Sequence, residues 1–223
     1  MKNRAMGFGL AILLALGVTL RSAEPTPVEL AQTLQKKYDG IRDFSADFVH
    51  SYRGGVLRKQ LSEKGRLLVK KPGKMRWEYT APEPKTFISD GLKIYSYIPA
   101  DKQVLVTSVP KDGAATTPAL FLAGKGSLTR DFAVSAGTVP EGFASGTRAL
   151  KLVPKTPQPD YDSLVLLVDP STLTLRGMIT SDPQGGTSTL AFTNLKENTG
   201  VADKEFVFNI PRGVDIVSES GKR

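Results

Sequence analysis

The sequence predicts a mainly β protein with some α: about eleven antiparallel strands in one curled sheet, with two or three helices against its concave apolar side. Three observations carry this. Apolar and polar residues alternate along most of the chain, as in strands with one buried and one wet face. The links between these runs are short hairpin signals such as Asp90-Gly91, which join antiparallel neighbours. The alternation breaks only near the start of the folded region and again at Thr116-Thr117-Pro118. A sheet of this size must curl, close or split, and helices lying in its hollow accommodate both breaks.

The 223 residues form one domain by this reading, because no linker or repeat divides them. Residues 1–23 stand apart. Lys2 and Arg4 precede a 16-residue apolar run, Ala5 to Leu20, and Ser22-Ala23 offers a small-residue cleavage site. The segment is expected to be a secretory signal peptide, with residues 24–223 as the folded domain. Arg21 departs from the small residue preferred three positions before cleavage, so an uncleaved anchor is the other reading. Without the segment the chain keeps 27 of its 30 basic residues against 22 acidic ones, a net charge of +5. That balance serves solubility, or it favours an acidic partner or anionic membrane surface; no nucleic-acid motif accompanies it.

The elements follow in order. Thr26, Pro27 and Glu29 make a capping box with proline at the first helical position. Leu30, Leu34, Tyr38 and Ile41 then fall on one helical stripe, and Gly40 lies near its end. Phe44, Ala46 and Phe48 alternate with polar neighbours up to Gly54-Gly55, and a second strand is expected over 56–70. Pro72-Gly73 turns the chain into Lys74 to Thr80, where Met75, Trp77 and Tyr79 share one face. Short strands are expected at 85–89, 94–98 and 103–109. Ala119 to Ala123 is wholly apolar and predicts a short helix buried on all sides, as core or as a cover over an apolar pocket. Strands resume at 132–135, 148–153, 164–168, 173–181 and 187–195, and the last is expected at Glu205 to Asn209.

The chemistry-bearing residues are few. Cysteine is absent, which excludes disulfides, thiolate metal sites, cysteine nucleophiles and acylation of the chain itself. His50 is the only histidine, so neither a triad nor a transition-metal centre has its parts. No phosphate loop or dinucleotide fingerprint occurs. A binding protein without catalytic residues, metal or cofactor is the expectation.

Phe44-Ser45-Ala46-Asp47-Phe48, then Gly65-Arg66-Leu67, then Lys71-Pro72-Gly73-Lys74-Met75-Arg76-Trp77-Glu78-Tyr79 resemble the periplasmic outer-membrane lipoprotein carrier family LolA. Pro82, Ser89-Asp90-Gly91, Tyr95, Tyr97, Pro99, Thr117-Pro118 and Phe206 to Val214 extend the resemblance over nearly all of residues 24–223. It implies an unclosed antiparallel barrel of eleven strands, with helices as a lid over an apolar cavity for acyl chains. It also implies a monomeric carrier, with acylated lipoproteins as cargo. The cargo would come from an inner-membrane ABC lipoprotein-release complex and go to an outer-membrane receptor. A related lipid-binding or stress-sensing envelope domain on the same fold is the alternative, and an envelope hydrolase the rival of another class.

By the resemblance, Met75, Trp77 and Tyr79 would face the cavity, with Phe44 and Phe48 from the neighbouring strand and Leu120, Phe121 and Leu122 from the lid. Core packing is the plain alternative for each. Lys71 stands where the family carries an arginine that ties sheet to lid, and lysine lacks that planar fork; Arg76 is the other latch candidate, and a solvated turn lysine the plain reading. The cavity is expected to be open and loosely packed. Such cargo needs cover, because a sixteen-carbon chain costs about 12 kcal/mol to expose, at about 0.8 kcal/mol per methylene.

Overall fold

The computed structural model describes residues 24–54, 59–109, 122–124 and 126–218. The expected signal segment, and the lid candidates Leu120 and Phe121, lie outside them.

Helix α1 (Pro27–Gly40) opens the fold, and its capping box is complete: Glu29 N–H donates to Thr26 Oγ1, and Thr26 N–H donates to the Glu29 carboxylate at 2.8 Å. Leu30, Ala31 and Leu34 are buried from its apolar stripe. Twelve strands follow: β1 (Asp43–Gly54), β2 (Lys59–Lys70), β3 (Lys74–Ala81), β4 (Lys85–Asp90), β5 (Lys93–Ile98), β6 (Gln103–Ser108), β7 (Phe132–Ala136), β8 (Arg148–Pro154), β9 (Ser163–Asp169), β10 (Thr174–Ser181), β11 (Gly186–Glu197) and β12 (Asp215–Ser218). A one-turn helix α2 (Leu128–Asp131) precedes β7.

All twelve strands belong to one sheet in the order β12-β6-β5-β4-β3-β2-β1-β11-β10-β9-β8-β7. Its ends, β12 and β7, do not meet, so the sheet is unclosed as the resemblance implied. Every pairing is antiparallel except that of β12 with β6. Bulges between Lys64 and Gly65, Ser45 and Asp47, and Leu175 and Gly177 interrupt the ladders; such irregularities bend a sheet.

One sheet face, here the inner face, carries the main core: Phe44, Ala46, Phe48, Leu67, Val69, Met75 and Trp77 on one wing, and Leu150, Leu152, Leu164, Leu166, Met178 and Phe192 on the other. Helix α1 packs on it through Leu34, Tyr38 and Ile41. Lys37 fastens the end of α1, donating to the Thr172 carbonyl at 3.1 Å and to Glu197 at 2.7 Å.

The expected strand at Glu205 to Asn209 is not one. Asp203–Phe206 is a 3-10 turn lying on the outer face of β3 and β4, and the last strand comes later, as β12. Phe206 is buried, Val207 is exposed, and Phe208 sits 5.6 and 5.7 Å from the rings of Tyr95 and Tyr97. The alternation was real, but it buries rings against a sheet face instead of within a ladder. Asp203 anchors the segment through Lys70 (3.0 Å) and Lys74 (2.8 Å).

Candidate functional site

The period of two in β1 and β3 sets Phe44, Phe48, Met75, Trp77 and Tyr79 on the inner face, and register brings them together. Phe44 pairs across β2 through Val69 to Met75, and Ala46 through Leu67 to Trp77. Phe48 stands over Gly65, between the rings of Trp77 (5.2 Å) and Tyr79 (4.9 Å), both edge-on. Tyr79 reaches Phe87 on β4 at 5.8 Å. Trp77 donates its indole N–H to the Met75 thioether at 3.4 Å, a soft, polarizable acceptor. Leu122, the one lid candidate among the described residues, is fully buried with Ala123 in the same cluster.

Among the described residues the inner face is tightly packed, where an open, loosely packed cavity was expected. Phe44, Phe48, Leu67, Val69, Met75 and Trp77 are each at most 6 % exposed. The apolar crevice beside α1, lined by Leu34, Tyr38, Phe44, Leu166, Leu175 and Leu195, has an interior of about 20 Å³, little more than one water needs. Among the described residues the inner face packs on itself, because without a guest its apolar groups gain more by packing together than by facing water.

Lys71 lies where that closure is fastened. Its ammonium donates to the Tyr38 carbonyl near the end of α1 and sits 3.5 Å from the Tyr38 ring centroid. Its stem crosses Gly124, where an added Cβ would fall 2.8 Å from Lys71 Cδ; with φ at +86°, glycine fits there. Tyr38 in turn donates its hydroxyl to the Leu122 carbonyl, and Gly73 N–H donates to the Ala123 carbonyl at 3.0 Å. The β2–β3 turn, α1 and residues 122–124 are thus joined around one lysine. Arg76 is on the opposite face, paired with Glu78 at 2.5 Å and donating to the Glu205 carbonyl at 3.0 Å.

Burial pulls the Lys71 pKa down to about 8, with Asp39 opposing the shift. The closed, folded state therefore carries a penalty for burying the charge below about pH 8, and this is relieved as pH rises toward the ordinary lysine value, where the unfolded chain also loses its proton. Lys71→Arg stays charged throughout. The midpoint of urea unfolding of the wild type, relative to Lys71→Arg, is expected to rise between pH 7 and pH 10; parallel profiles would refute the assignment.

Farther along the same face the character changes. His50, Glu63, Tyr79, Lys85 and Ser188 form one polar cluster on β1–β4 and β11. Lys85 Nζ is 2.6 Å from Glu63 Oε1, His50 Nδ1 is 3.2 Å from Glu63 Oε2, and His50 Nε2 is 2.8 Å from Ser188 Oγ. Burial lowers the His50 pKa against the pull of Glu63, and burial raises that of Tyr79. Sequence reasoning gave His50 no catalytic or metal-binding part and missed Glu63 and Lys85. The signal was present in β2, where Glu63 shares the parity of Leu67 and Val69, an inner-face position where a carboxylate needs partners. Tyr38 was read only as part of the helix stripe.

Residues 39–209 match the family model described as outer membrane lipoprotein carrier protein LolA. An outer-membrane lipoprotein carrier protein from Chromohalobacter salexigens is 32 % identical over 222 residues, covering 98 % of this chain and 100 % of its own. One from Methylococcus capsulatus is 29 % identical, covering 88 % of this chain and 90 % of its own. Among solved structures, an uncharacterized conserved protein from Thermus thermophilus shares the fold with a TM-score of 0.52 at 12 % identity, over 84 % of this chain and 98 % of that one.

Proposed function

Because the chain belongs to the LolA family of outer-membrane lipoprotein carrier proteins, we propose that its inner face, beneath the cover that includes residues 122–124, is where the acyl chains of lipoproteins are held. The protein is a periplasmic carrier that ferries lipoproteins, and it is not an enzyme. The observation supporting the site is the inner face itself: a continuous apolar and aromatic wall, closed on itself, with a fastening that is polar and therefore separable. Acyl chains entering beneath the cover would replace one set of apolar contacts by another. The differential between closed and loaded states is then small enough for release, where a rigid preformed pocket would hold its guest too tightly.

Under this proposal residues 1–23 direct export and residues 24–223 carry cargo. An inner-membrane ABC lipoprotein-release complex loads the face, and an outer-membrane receptor, or the outer membrane itself, empties it. The net positive charge assists encounter with an acidic receptor surface. Mass spectrometry of the protein isolated from its native envelope under mild conditions is expected to find triacylated lipoprotein in stoichiometric amounts. Isolation with no acylated species at all, even when release to the outer membrane is blocked, would overturn the proposal.

A further inference from the structure

We propose that the cluster of His50, Glu63, Tyr79, Lys85 and Ser188 is a headgroup subsite. It would receive the neutral ester or amide carbonyls at the polar end of an acylated ligand, and so fix the direction in which the chains lie. This rests on the reading of the inner face as the acyl site. Along β1 the inner face runs from Phe44 through Phe48 to His50, and along β2 from Val69 through Leu67 to Glu63. The face is apolar beside α1, aromatic in the middle and ionic at His50 and Glu63, with Tyr52 and Leu61 beyond them. Six residues of strand span about 20 Å, and one leaflet of acyl chain spans about 15 Å, half of a hydrocarbon core. A ligand with an apolar tail and a polar head therefore matches the gradient in sequence and in length, methyl ends toward Lys71 and carbonyls toward Lys85.

The donors fit carbonyl oxygens. Glu63 is acceptor-only, which places the His50 proton on Nδ1 and leaves Nε2 accepting from the Ser188 hydroxyl. The Tyr79 hydroxyl lies 3.4 Å from the same Nδ1, and its O–H can donate outward. Lys85 has three N–H donors, of which Glu63 takes one. Its side chain and that of His50 are 24 % and 21 % exposed, open enough for a ligand to reach, while Glu63 is 7 % exposed. With Lys85 neutralised by Glu63 and His50 uncharged, the cluster carries no net charge. A carboxylate head would lose its hydration without meeting an uncompensated cation, so neutral carbonyls are preferred.

The test uses the whole protein and its single tryptophan, Trp77, as reporter, with 1-monopalmitoylglycerol, palmitate and hexadecane as probes. The double variant Lys85→Met/Glu63→Gln removes both charges together, so no unpaired ion is left buried. It is expected to bind the glyceride about tenfold more weakly, the worth of a charge-assisted hydrogen bond, and hexadecane as before. Tyr79→Phe, which deletes only a hydroxyl, is expected to lose about fivefold for the glyceride alone. Wild type is expected to prefer the glyceride to palmitate. Equal losses for glyceride and hexadecane, no loss in either variant, or tighter binding of palmitate would overturn the subsite while leaving the acyl site standing. Failure of all three probes to bind wild type would remove the acyl site, and the subsite with it.

Discussion

Replacing Leu122 by aspartate is expected to weaken acyl binding tenfold or more while the sheet still forms. Leu122 is fully buried against the inner face, and its segment is held by Tyr38 and Gly73. An aspartate there would replace a fully buried leucine of the core cluster, and a charge buried among apolar groups costs several kcal/mol. The change does more than loosen the closed state. In the loaded state the same side chain would face hydrocarbon, so the cover ceases to shield the guest in either arrangement. Each methylene left in water costs about 0.8 kcal/mol, so two exposed methylenes already exceed tenfold. Titration with 1-monopalmitoylglycerol through Trp77 fluorescence, beside far-ultraviolet circular dichroism, separates binding from folding. Unchanged affinity would move the acyl site away from the cover.

The second large effect is on stability. Gly65→Val is expected to destabilise the fold by about 3 kcal/mol, the upper end for overpacking. An added Cβ at Gly65 would fall 2.2 Å from the Glu78 carbonyl oxygen and 2.5 Å from Phe48 Cζ. The oxygen belongs to the β3 backbone and cannot turn away, and the ring is clamped between Trp77 and Tyr79. For a chain of this size that corresponds to a loss in melting temperature of about 6–12 °C, which thermal unfolding followed by circular dichroism measures. A change within a degree would show that the Phe48 ring can leave Gly65 freely. That would remove the rigidity assigned to the middle of the inner face.

Much of this fold was legible because strands and hairpins write themselves locally. The capping box at Thr26 and Glu29, the Met75–Trp77–Tyr79 face and the Asp90-Gly91 turn each depend on neighbours in the chain. What was not legible depends on partners far away. The Phe206–Phe208 alternation reads as a strand until the outer face of β3–β5 is known to need covering. The parallel β12 carries no hairpin signal, since its partner β6 is more than a hundred residues earlier. The site divides in the same way. Its candidate aromatic residues follow from parity, and Lys71 at the β2–β3 turn was singled out as a latch candidate by resemblance. The assembly of Glu63, Lys85 and His50 needed three strands in register before any charge had a partner.

The sheet order places β1 between β2 and β11. Strands β1 to β6 form one run of sequential neighbours and β7 to β11 another, and the two halves join along the β1–β11 seam. Its partners are 132 to 153 positions apart, from Gly54 with Gly186 to Phe44 with Glu197. Closing so long a loop delays a contact relative to local ones. Each meander can zip on its own, whereas the seam must wait for Gly186–Glu197 to be released. Assembly of this molecule is therefore paced by its eleventh strand, and a nascent chain ending before it would hold two half-sheets without the seam that joins them.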